Sequence, residues 1–318
     1  MTDQTPSRFG QVNSAGDPFA LFLKVFSGEI LAAFLRQNAF RDKTLLRTIA
    51  SGKSAQFPTT GLAGAYYHVP GQEILGQQIG SNERVINIED MLIAPVFVSN
   101  IDELVTHFDV RGIYSEQIGN ALAKAFDQNV SRAIINAARN AMPNVTGLPA
   151  GTHYNDADYD TDGTKLWAFV FNSGVTLDTH DAPVTDRYAA FRPVQYALIV
   201  RSEKPINRNL NPEGNGSLAS GNVEEVNGIS IFKTNNLVQS NDVANALQPA
   251  SRQHDYSVTR GIVFQRTAAG TVALQDITLE TAYDVRRQGT LMVGKYLTGH
   301  DQLRPETAIE ARTADPAG

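Results

Sequence analysis

Cysteine is absent from this chain of 318 residues. Its absence excludes disulfides, thiolate metal sites and cysteine nucleophiles, and it leaves the redox compartment undetermined. Basic residues are also few, because 27 Lys and Arg stand against 33 Asp and Glu, for a net charge of -6. Since the neutralisation of phosphates needs clustered Lys and Arg, this balance argues against a protein that reads nucleic-acid sequence.

Long hydrophobic runs are missing as well. No stretch approaches the roughly 18 apolar residues of a membrane helix, and the first residues lack the basic and apolar regions of a secretory signal. We therefore expect a soluble, unexported protein with no membrane partner.

Recognisable catalytic motifs are missing too. The six histidines show no metal-ligand spacing, and there is no G-x-S-x-G sequence. Residues Ser51–Ser54 end like a phosphate-binding loop, but Arg47 occupies the position of the required glycine. We expect no enzyme and no cofactor, although distant residues sometimes converge on an active site.

The N-terminal part combines a polar tail with an aromatic helix. Residues 1–16 are rich in Ser, Gln, Asn and Gly, a composition that cannot repay its own ordering entropy. Asp17 followed by Pro18 predicts a helix start. The apolar residues that follow at helical spacing are Phe19, Phe22, Phe26, Ile30 and Phe34. This stripe either packs on the chain's own core or contacts another subunit; Phe19, Phe22 and Phe26 are our candidate contacts.

Residues 51–90 predict a long two-stranded excursion. Glycines separate short β-type runs such as AYYHV and RVINI, and few large aliphatic residues are present. Compact domains seldom carry so long a loop without a use, and reaching onto a partner is one. Our candidate contacts are Phe57, Tyr66, Tyr67 and Val69. The alternative is that the two tyrosines pack across their own strand pair.

A long helix follows. Asn100 and Glu103 have the spacing of a capping pair. Apolar residues then recur at steps of three or four up to Pro143, which predicts about forty helical residues, far above the mean length. The later members of this apolar face are Ile118, Leu122, Phe126, Val130, Ala133 and Ala137.

The rest of the chain alternates short elements with loops. A helix is predicted near 163–175, and strands are predicted at 196–200 (YALIV) and 228–234 (GISIFKT). Residues 261–283 predict a β-hairpin whose connection ends at Gly270, a residue free to adopt a positive φ.

Asp158, Asp160 and Asp162, followed by Gly163, match the opening of a calcium loop. The twelfth position, which should carry a bidentate Glu, is Phe169. We therefore predict no metal site, and Asp158, Asp160 and Asp162 are the residues that would form one. An exposed acidic turn that caps a helix is the favoured interpretation.

Five segments of the chain resemble segments of a known family. They are FALFLKVFSGEILAAF at 19–34 with SGKSAQFP at 51–58, HFDVRGIYSEQIGNALAKAFD at 107–127, and AAGTVALQDITLE at 268–280 with GKYLTGHDQLRPETA at 294–308. They are similar to segments of the major capsid proteins of T-seven-like podophages, and the two C-terminal segments agree with that family in order and spacing. Residues 144–260 match only loosely.

The resemblance implies the α+β fold of tailed-phage major capsid proteins, the Hong Kong ninety-seven fold. Its parts would be an N-terminal arm (1–50), an extended loop (51–88), a peripheral domain with a long spine helix (89–143 and 255–290) and an axial domain (144–254 and 291–318). No covalent crosslink between subunits is expected.

The resemblance also implies partners and a location. Copies of the chain would form pentamers and hexamers of an icosahedral shell, together with a scaffolding protein and a portal protein. The shell would enclose double-stranded DNA without sequence-specific binding, after assembly in the host bacterial cytoplasm. An encapsulin-type compartment shell and a calcium-dependent binding module remain as alternatives.

Overall fold

The structure is a computed structural model that describes residues 38–100, 110–202, 216–217, 222–223, 225–246 and 248–316. The predicted aromatic helix with Phe19, Phe22 and Phe26 lies outside the described residues. Residues 101–109, where the long helix is predicted to begin, lie outside them too.

The described part of the chain mixes helices and strands. The helices are α1 (Val110–Arg139), α2 (Gly163–Thr179) and α3 (Pro193–Arg201), with 3-10 turns at Arg41–Lys43, Ala157–Asp160, Ala250–Arg252 and Pro305–Thr307. The strands are β1 (Leu45–Thr48), β2 (Ser54–Thr60), β3 (Ser81–Asn87), β4 (Leu92–Ser99), β5 (Thr152–Asn155), β6 (Arg187–Phe191), β7 (Gly216–Ser217), β8 (Asn222–Val223), β9 (Glu225–Val226), β10 (Ile229–Lys233), β11 (Thr259–Gln265), β12 (Ala269–Asp284), β13 (Gly289–Gln302) and β14 (Ala308–Arg312). Within these described residues, no helix has the length and apolar character to cross a membrane.

The chain divides into two compact units. Among the described residues, the first unit contains Asn38 and those of Asp90–Phe126 and Gln275–Thr298. The second contains those of Ala39–Glu89, Asp127–Leu274 and Gly299–Gly318.

In the first unit, α1 packs on a sheet that contains β4 and β13. These two strands are antiparallel, and Leu291 lies opposite Phe97. A Cβ added at Gly294 would lie 2.5 Å from the Cγ2 atom of Ile118 and 3.1 Å from the Cδ1 atom of Leu122, so the glycine lets the helix approach the strand closely.

The second unit is built on a six-stranded sheet of order β5-β14-β11-β6-β10-β9. β11 is antiparallel to both of its neighbours, whereas β10 is parallel to β6 and β14 is parallel to β5. Helices α2 and α3 contribute to the same core as this sheet, because their apolar residues share one buried cluster with those of the strands. Members of the cluster include Leu166, Phe169, Val170, Phe191, Ile199, Val263 and Ile309.

The long helix confirms its predicted apolar face. The described part of α1 spans 30 residues and ends at Arg139, before Pro143. Each of the six later residues of the predicted stripe is at most 3 % exposed: Ile118, Leu122, Phe126, Val130, Ala133 and Ala137. The helix near 163–175 and the strand near 228–234 are also confirmed, as α2 and β10.

The predicted strand at 196–200 is wrong, because this segment lies in helix α3. Pro193 occupies the first turn, where its missing N–H costs nothing. Tyr196, Ile199 and Val200 then recur at helical spacing and are buried in the core of the second unit. The β-rich composition is overridden by this tertiary packing.

The predicted hairpin at 261–283 is also wrong. Both strands exist, but β11 lies in the six-stranded sheet and β12 lies in a four-stranded sheet of order β1-β12-β13-β4. Gly270 is not a turn residue; it pairs with Leu45 of β1 inside a strand. A Cβ at Gly270 would lie 2.7 Å from the side chain of Leu303 and 2.9 Å from that of Ile86, so close packing accounts for the glycine.

Candidate assembly surface

The predicted excursion begins as a stalk of two strands. β2 and β3 pair antiparallel over their full length, from Ser54 opposite Asn87 to Thr60 opposite Ser81. The base of the stalk packs on the second unit, because Ala55 and Ile86 share a small buried cluster with Val272 and Leu303. The stalk is therefore anchored at the end from which it leaves its own unit.

The other end of the stalk is held by the turn after α1. Asn82 donates a hydrogen bond of 2.7 Å from its side chain to the carbonyl of Asn144, and Arg84 donates one of 3.0 Å to the Asn144 side chain. The N–H of Gly61 donates to the carbonyl of Gly80 at 2.8 Å, and this bond follows the last pair of the ladder. A Cβ on either glycine would lie 3.1 Å from Cγ1 of Val145, a tight contact, so the two glycines let the end of the stalk approach this side chain closely.

Residues 61–80 form a tip beyond the stalk, and this tip exposes large apolar side chains. Tyr67 is fully exposed, and Leu62, Ile74 and Leu75 are each at least 70 % exposed. The remaining large apolar side chains of the tip, each about half exposed, are Tyr66, Val69 and Ile79. So many exposed hydrophobic residues in one segment are typical of a surface that another protein covers.

The predicted contacts Tyr66, Tyr67 and Val69 lie together on this tip. The strand pairing ends at Thr60 and Ser81, so the two tyrosines do not pack across a strand pair. The hydroxyl of Tyr66 donates a long hydrogen bond of 3.5 Å to the carbonyl of Leu75 across the tip. Both aromatic rings are nevertheless largely exposed to solvent.

Phe57 is placed differently from the other predicted contacts. It lies on the stalk, is half-buried and packs against the cluster of Ala55 and Ile86. The guanidinium of Arg47 lies 5.3 Å from the centre of its ring and donates a hydrogen bond of 2.8 Å to the carbonyl of Gln56. This ring supports the stalk within its own unit.

Sequence reasoning missed exposed apolar residues on the tip and on the sheet of the first unit. Leu62, Ile74, Leu75 and Ile79 belong to the tip, and membership of the same glycine-rich segment is the signal that points to them. Ile93, Phe97 and Leu291 lie on one face of the sheet of the first unit and are between 37 % and 56 % exposed. The alternation of β4 is the signal for this second set.

The acidic turn is occupied by the chain's own groups. Asp162 caps α2, because its carboxylate accepts a hydrogen bond of 2.7 Å from the N–H of Thr164. The ammonium of Lys165 lies 2.9 Å from Asp156 and 2.5 Å from Asp158, and these hydrogen bonds raise the pKa of Lys165. Asp160 forms an ion pair with Arg260. Across the described ranges of the chain, no three or more His, Asp or Glu side chains are grouped so as to hold a metal ion.

A buried carboxylate anchors the beginning of the described chain. Asp127 of α1 accepts hydrogen bonds from the N–H groups of Ala39 and Phe40, at 2.8 and 3.2 Å, and from the side chain of Asn236 at 2.8 Å. Burial raises the pKa of Asp127, and these three donors partly offset the rise. The arrangement therefore holds Ala39 and Phe40 on α1 within the second unit.

Comparison with known proteins connects these features to phage capsids. A family model described as "Gp10A-like: Major capsid protein" matches residues 56–312. The major capsid protein of Enterobacteria phage T3 is 32 % identical over 330 aligned residues, which cover 94 % of this chain and 93 % of that protein. The major capsid protein of Escherichia phage T7 is 31 % identical over 326 aligned residues, covering 93 % of each. The capsid structure of the cyanophage P-SCSP1u is 40 % identical, with a TM-score of 0.79, and covers 99 % of this chain and 100 % of that chain.

Proposed function

The chain belongs to the Gp10A-like family of major capsid proteins, and from that premise we propose how its surfaces build a shell. Its function is to form the icosahedral capsid of a phage, its place is the capsid of the virion, and it is a structural protein with no enzymatic role. Its α+β fold is that of tailed-phage capsid proteins.

The tip formed by residues 61–80 contacts a neighbouring copy. The observation that carries this proposal is the exposure of Tyr66, Tyr67 and Val69 at the end of an anchored stalk. Full burial of a large apolar side chain contributes about 1.5–3 kcal/mol. Several such side chains on one tip therefore offset the cost of ordering that tip on a partner.

The geometry of a closed shell explains why individually weak contacts between subunits are enough to make it stable. Rings of five and six subunits need heterologous interfaces, in which one surface of a copy meets a different surface of the next. Once several neighbours hold a subunit, its remaining contacts form at a high effective concentration. The tip serves as one of the two surfaces in such an interface.

The resemblance to the capsid family assigns each part of the chain to one structural part of the subunit. Residues 1–50 form the N-terminal arm, 51–88 the extended loop, 89–143 with 255–290 the peripheral domain, and 144–254 with 291–318 the axial domain. Phe19, Phe22 and Phe26 of the arm contact a neighbouring subunit through their aromatic stripe. The described stalk and tip, at 54–87, support the position of the extended loop.

Other partners follow from the task of a phage capsid. A scaffolding protein guides assembly, a portal protein occupies one vertex, and the shell encloses double-stranded DNA. The net charge of -6 supports a wall that encloses DNA and does not read its sequence.

The experiment removes the aromatic rings of the tip. The double variant Tyr66→Ala/Tyr67→Ala, the control Val184→Ala and the wild type are each expressed with the scaffolding protein, and particles are imaged by negative-stain electron microscopy. Val184 is 70 % exposed but lies outside the tip. We expect uniform shells from the wild type and the control, and folded subunits without uniform shells from the double variant.

The melting temperature of the subunits separates a contact defect from a folding defect. The double variant should melt close to the wild type, because both rings are more than half exposed and only the long hydrogen bond from Tyr66 to Leu75 is lost. Normal shells from the double variant would refute the role of the tip.

A further inference from the structure

Helix α2 has an outer face that resembles the centre of a protein interface. Between Lys165 and Asp178 the helix carries no charged residue. A helix on a protein surface normally has a polar outer face, and a helix that is apolar all round is normally buried. The outer side of α2 departs from this pattern between Lys165 and Asp178, because Phe171 and Val175 are exposed there beside the polar Asn172.

The inner side of α2 is covered by its own unit. Leu166, Phe169, Val170 and Leu177 are each at most 2 % exposed and belong to the core of the second unit. Ser173 on the same side donates its hydroxyl to the carbonyl of Phe169 at 2.7 Å. The packing of these residues uses only one half of the helix circumference.

The outer side of α2 remains open to solvent. Trp167, Phe171 and Val175 follow one another at steps of four and form a stripe, in which Trp167 packs partly against the core, Phe171 is 43 % exposed and Val175 is 51 % exposed. The rings of Trp167 and Phe171 are stacked, with their centres 5.6 Å apart and their planes at 21°. The two rings thus support each other in a defined orientation before any partner arrives.

The turn between β9 and β10 borders this stripe. The side chain of Asn227 donates a hydrogen bond of 3.2 Å to the carbonyl of Phe171, and it packs over Gly174. Asn227 and Gly228 both have positive φ angles, as a tight two-residue turn requires. The stripe is therefore bordered by a rigid turn and lies on a helix that the core holds in place.

We propose that the outer face of α2, formed by Trp167, Phe171 and Val175, is a contact between two copies of this chain in the shell. The inference rests on the function of the chain as a shell subunit and adds a surface separate from the tip at 61–80. Aromatic enrichment and depletion of charge distinguish the core of protein interfaces. A nucleic acid would require Lys and Arg at this place, and α2 has none on this face.

In the shell, a second copy of this chain is the partner that can cover the outer face of α2. A closed ring needs two different surfaces on every copy, and the tip accounts for one of them. A rigid aromatic pair on a helix is suited to act as an anchor, because it loses little conformational freedom on binding.

The test uses the absence of cysteine from the chain. In the variant Val175→Cys the only thiol reports on the outer face of α2, and in the control Val184→Cys it reports on an exposed loop of the same unit. Shells are prepared from this chain alone, after removal of any scaffolding protein, so that only another copy can cover the thiol. Labelling by a small maleimide is timed in these shells and in dissociated subunits.

We expect Cys labelling of the Val175 variant to be about tenfold slower in shells than in subunits, because the reaction needs access to the thiolate. The Val184 variant should react at similar rates in both states. Equal rates for the Val175 variant in the two states would overturn the proposal. A thiol already protected in the dissociated subunit would overturn it too, because the chain itself would then cover the face.

A charged substitution gives an independent readout. Phe171→Asp should lower the melting temperature of the subunit no more than Phe171→Ala does, since both remove the ring that stacks on Trp167 and keep the backbone carbonyl that Asn227 binds. The same variant should fail to form uniform shells. If Phe171→Asp forms normal shells while Tyr66→Ala/Tyr67→Ala does not, the inference on α2 fails and the proposed role of the tip stands.

Discussion

Arg139, at the end of α1, donates hydrogen bonds of 2.7 Å to both oxygens of the Glu310 carboxylate in β14. The side chain of Glu310 is fully buried, and that of Arg139 is only 13 % exposed. The same guanidinium donates to the carbonyl of Asp255 at 2.7 Å and to the hydroxyl of Thr259 at 3.2 Å. One buried ion pair therefore connects the end of the long helix, β11 and β14 within the second unit.

Glu310→Gln should destabilise the subunit strongly. The substitution keeps the shape of the side chain but leaves the guanidinium of Arg139 without a counter-charge, and breaking a buried pair in this way costs about 3–5 kcal/mol. The measurement is urea unfolding of dissociated subunits, and the matched control is Glu280→Gln. Glu280 pairs with Lys295 at 2.5 Å but is 64 % exposed, so its loss should cost less than about 1 kcal/mol. Equal losses for the two variants would contradict this assignment.

Asp127 should stabilise the folded subunit at low pH and lose this effect as the pH rises. A carboxylate whose pKa is lowered on folding shows the reverse dependence. The pKa of Asp127 in the folded state is raised above the ordinary value of an aspartate, mainly by burial, so the folded state holds the proton more tightly. The stability it contributes is fully present below the unfolded pKa and is lost as the pH rises through the folded pKa.

The comparison of wild type with Asp127→Asn isolates this contribution. Urea unfolding is measured at a series of pH values from about 3.5 to about 7, which begins near the pKa of an aspartate in an unfolded chain and extends well above it. The wild type should lose stability relative to the variant as the pH rises. A difference between the two proteins that does not change with pH, or one that changes in the wild type's favour, would contradict the raised pKa.

The periodic parts of this fold were predictable from the sequence, and the pairing of distant strands was not. Ile118, Leu122 and Phe126 identify the buried face of α1 because helical spacing is a local property. By contrast, β11 finds its partners in β6 and β14, which lie far along the chain on either side. Its short connection to β12 therefore suggested a hairpin that tertiary pairing overrides.

Of the candidate contact surfaces, one was predictable from the sequence and one was not. Tyr66, Tyr67 and Val69 were predictable because a glycine-rich segment with few aliphatic residues cannot bury them in its own unit. The exposed side of α2 was not found, because the run WAFVF has the composition of a core element and the sequence does not tell which side the core covers. Burial of Phe169 with exposure of Phe171 becomes visible only in the structure.

Calcium should leave the melting temperature of the subunit unchanged. The oxygens of Asp158 and Asp160 are paired with Lys165 and Arg260, and Asp162 caps α2, so a cation would have to displace contacts that already exist. The measurement is thermal unfolding with excess calcium and with a chelator. A ligand that binds only the folded state raises the melting temperature, so a rise that the chelator reverses would show that the turn does bind calcium.

Gly294→Ala should separate α1 from the sheet of the first unit. The added methyl group would lie 2.5 Å from the Cγ2 atom of Ile118, which is itself only 2 % exposed and has no room to retreat. Overpacking of this kind costs about 1–3 kcal/mol. Gly76→Ala is the matched control, because a Cβ at Gly76 meets nothing within 4 Å. Urea unfolding of the two variants should show a clear loss for Gly294→Ala and almost none for Gly76→Ala. An unchanged midpoint for Gly294→Ala would mean that the helix is not held against β13 as closely as the structure places it.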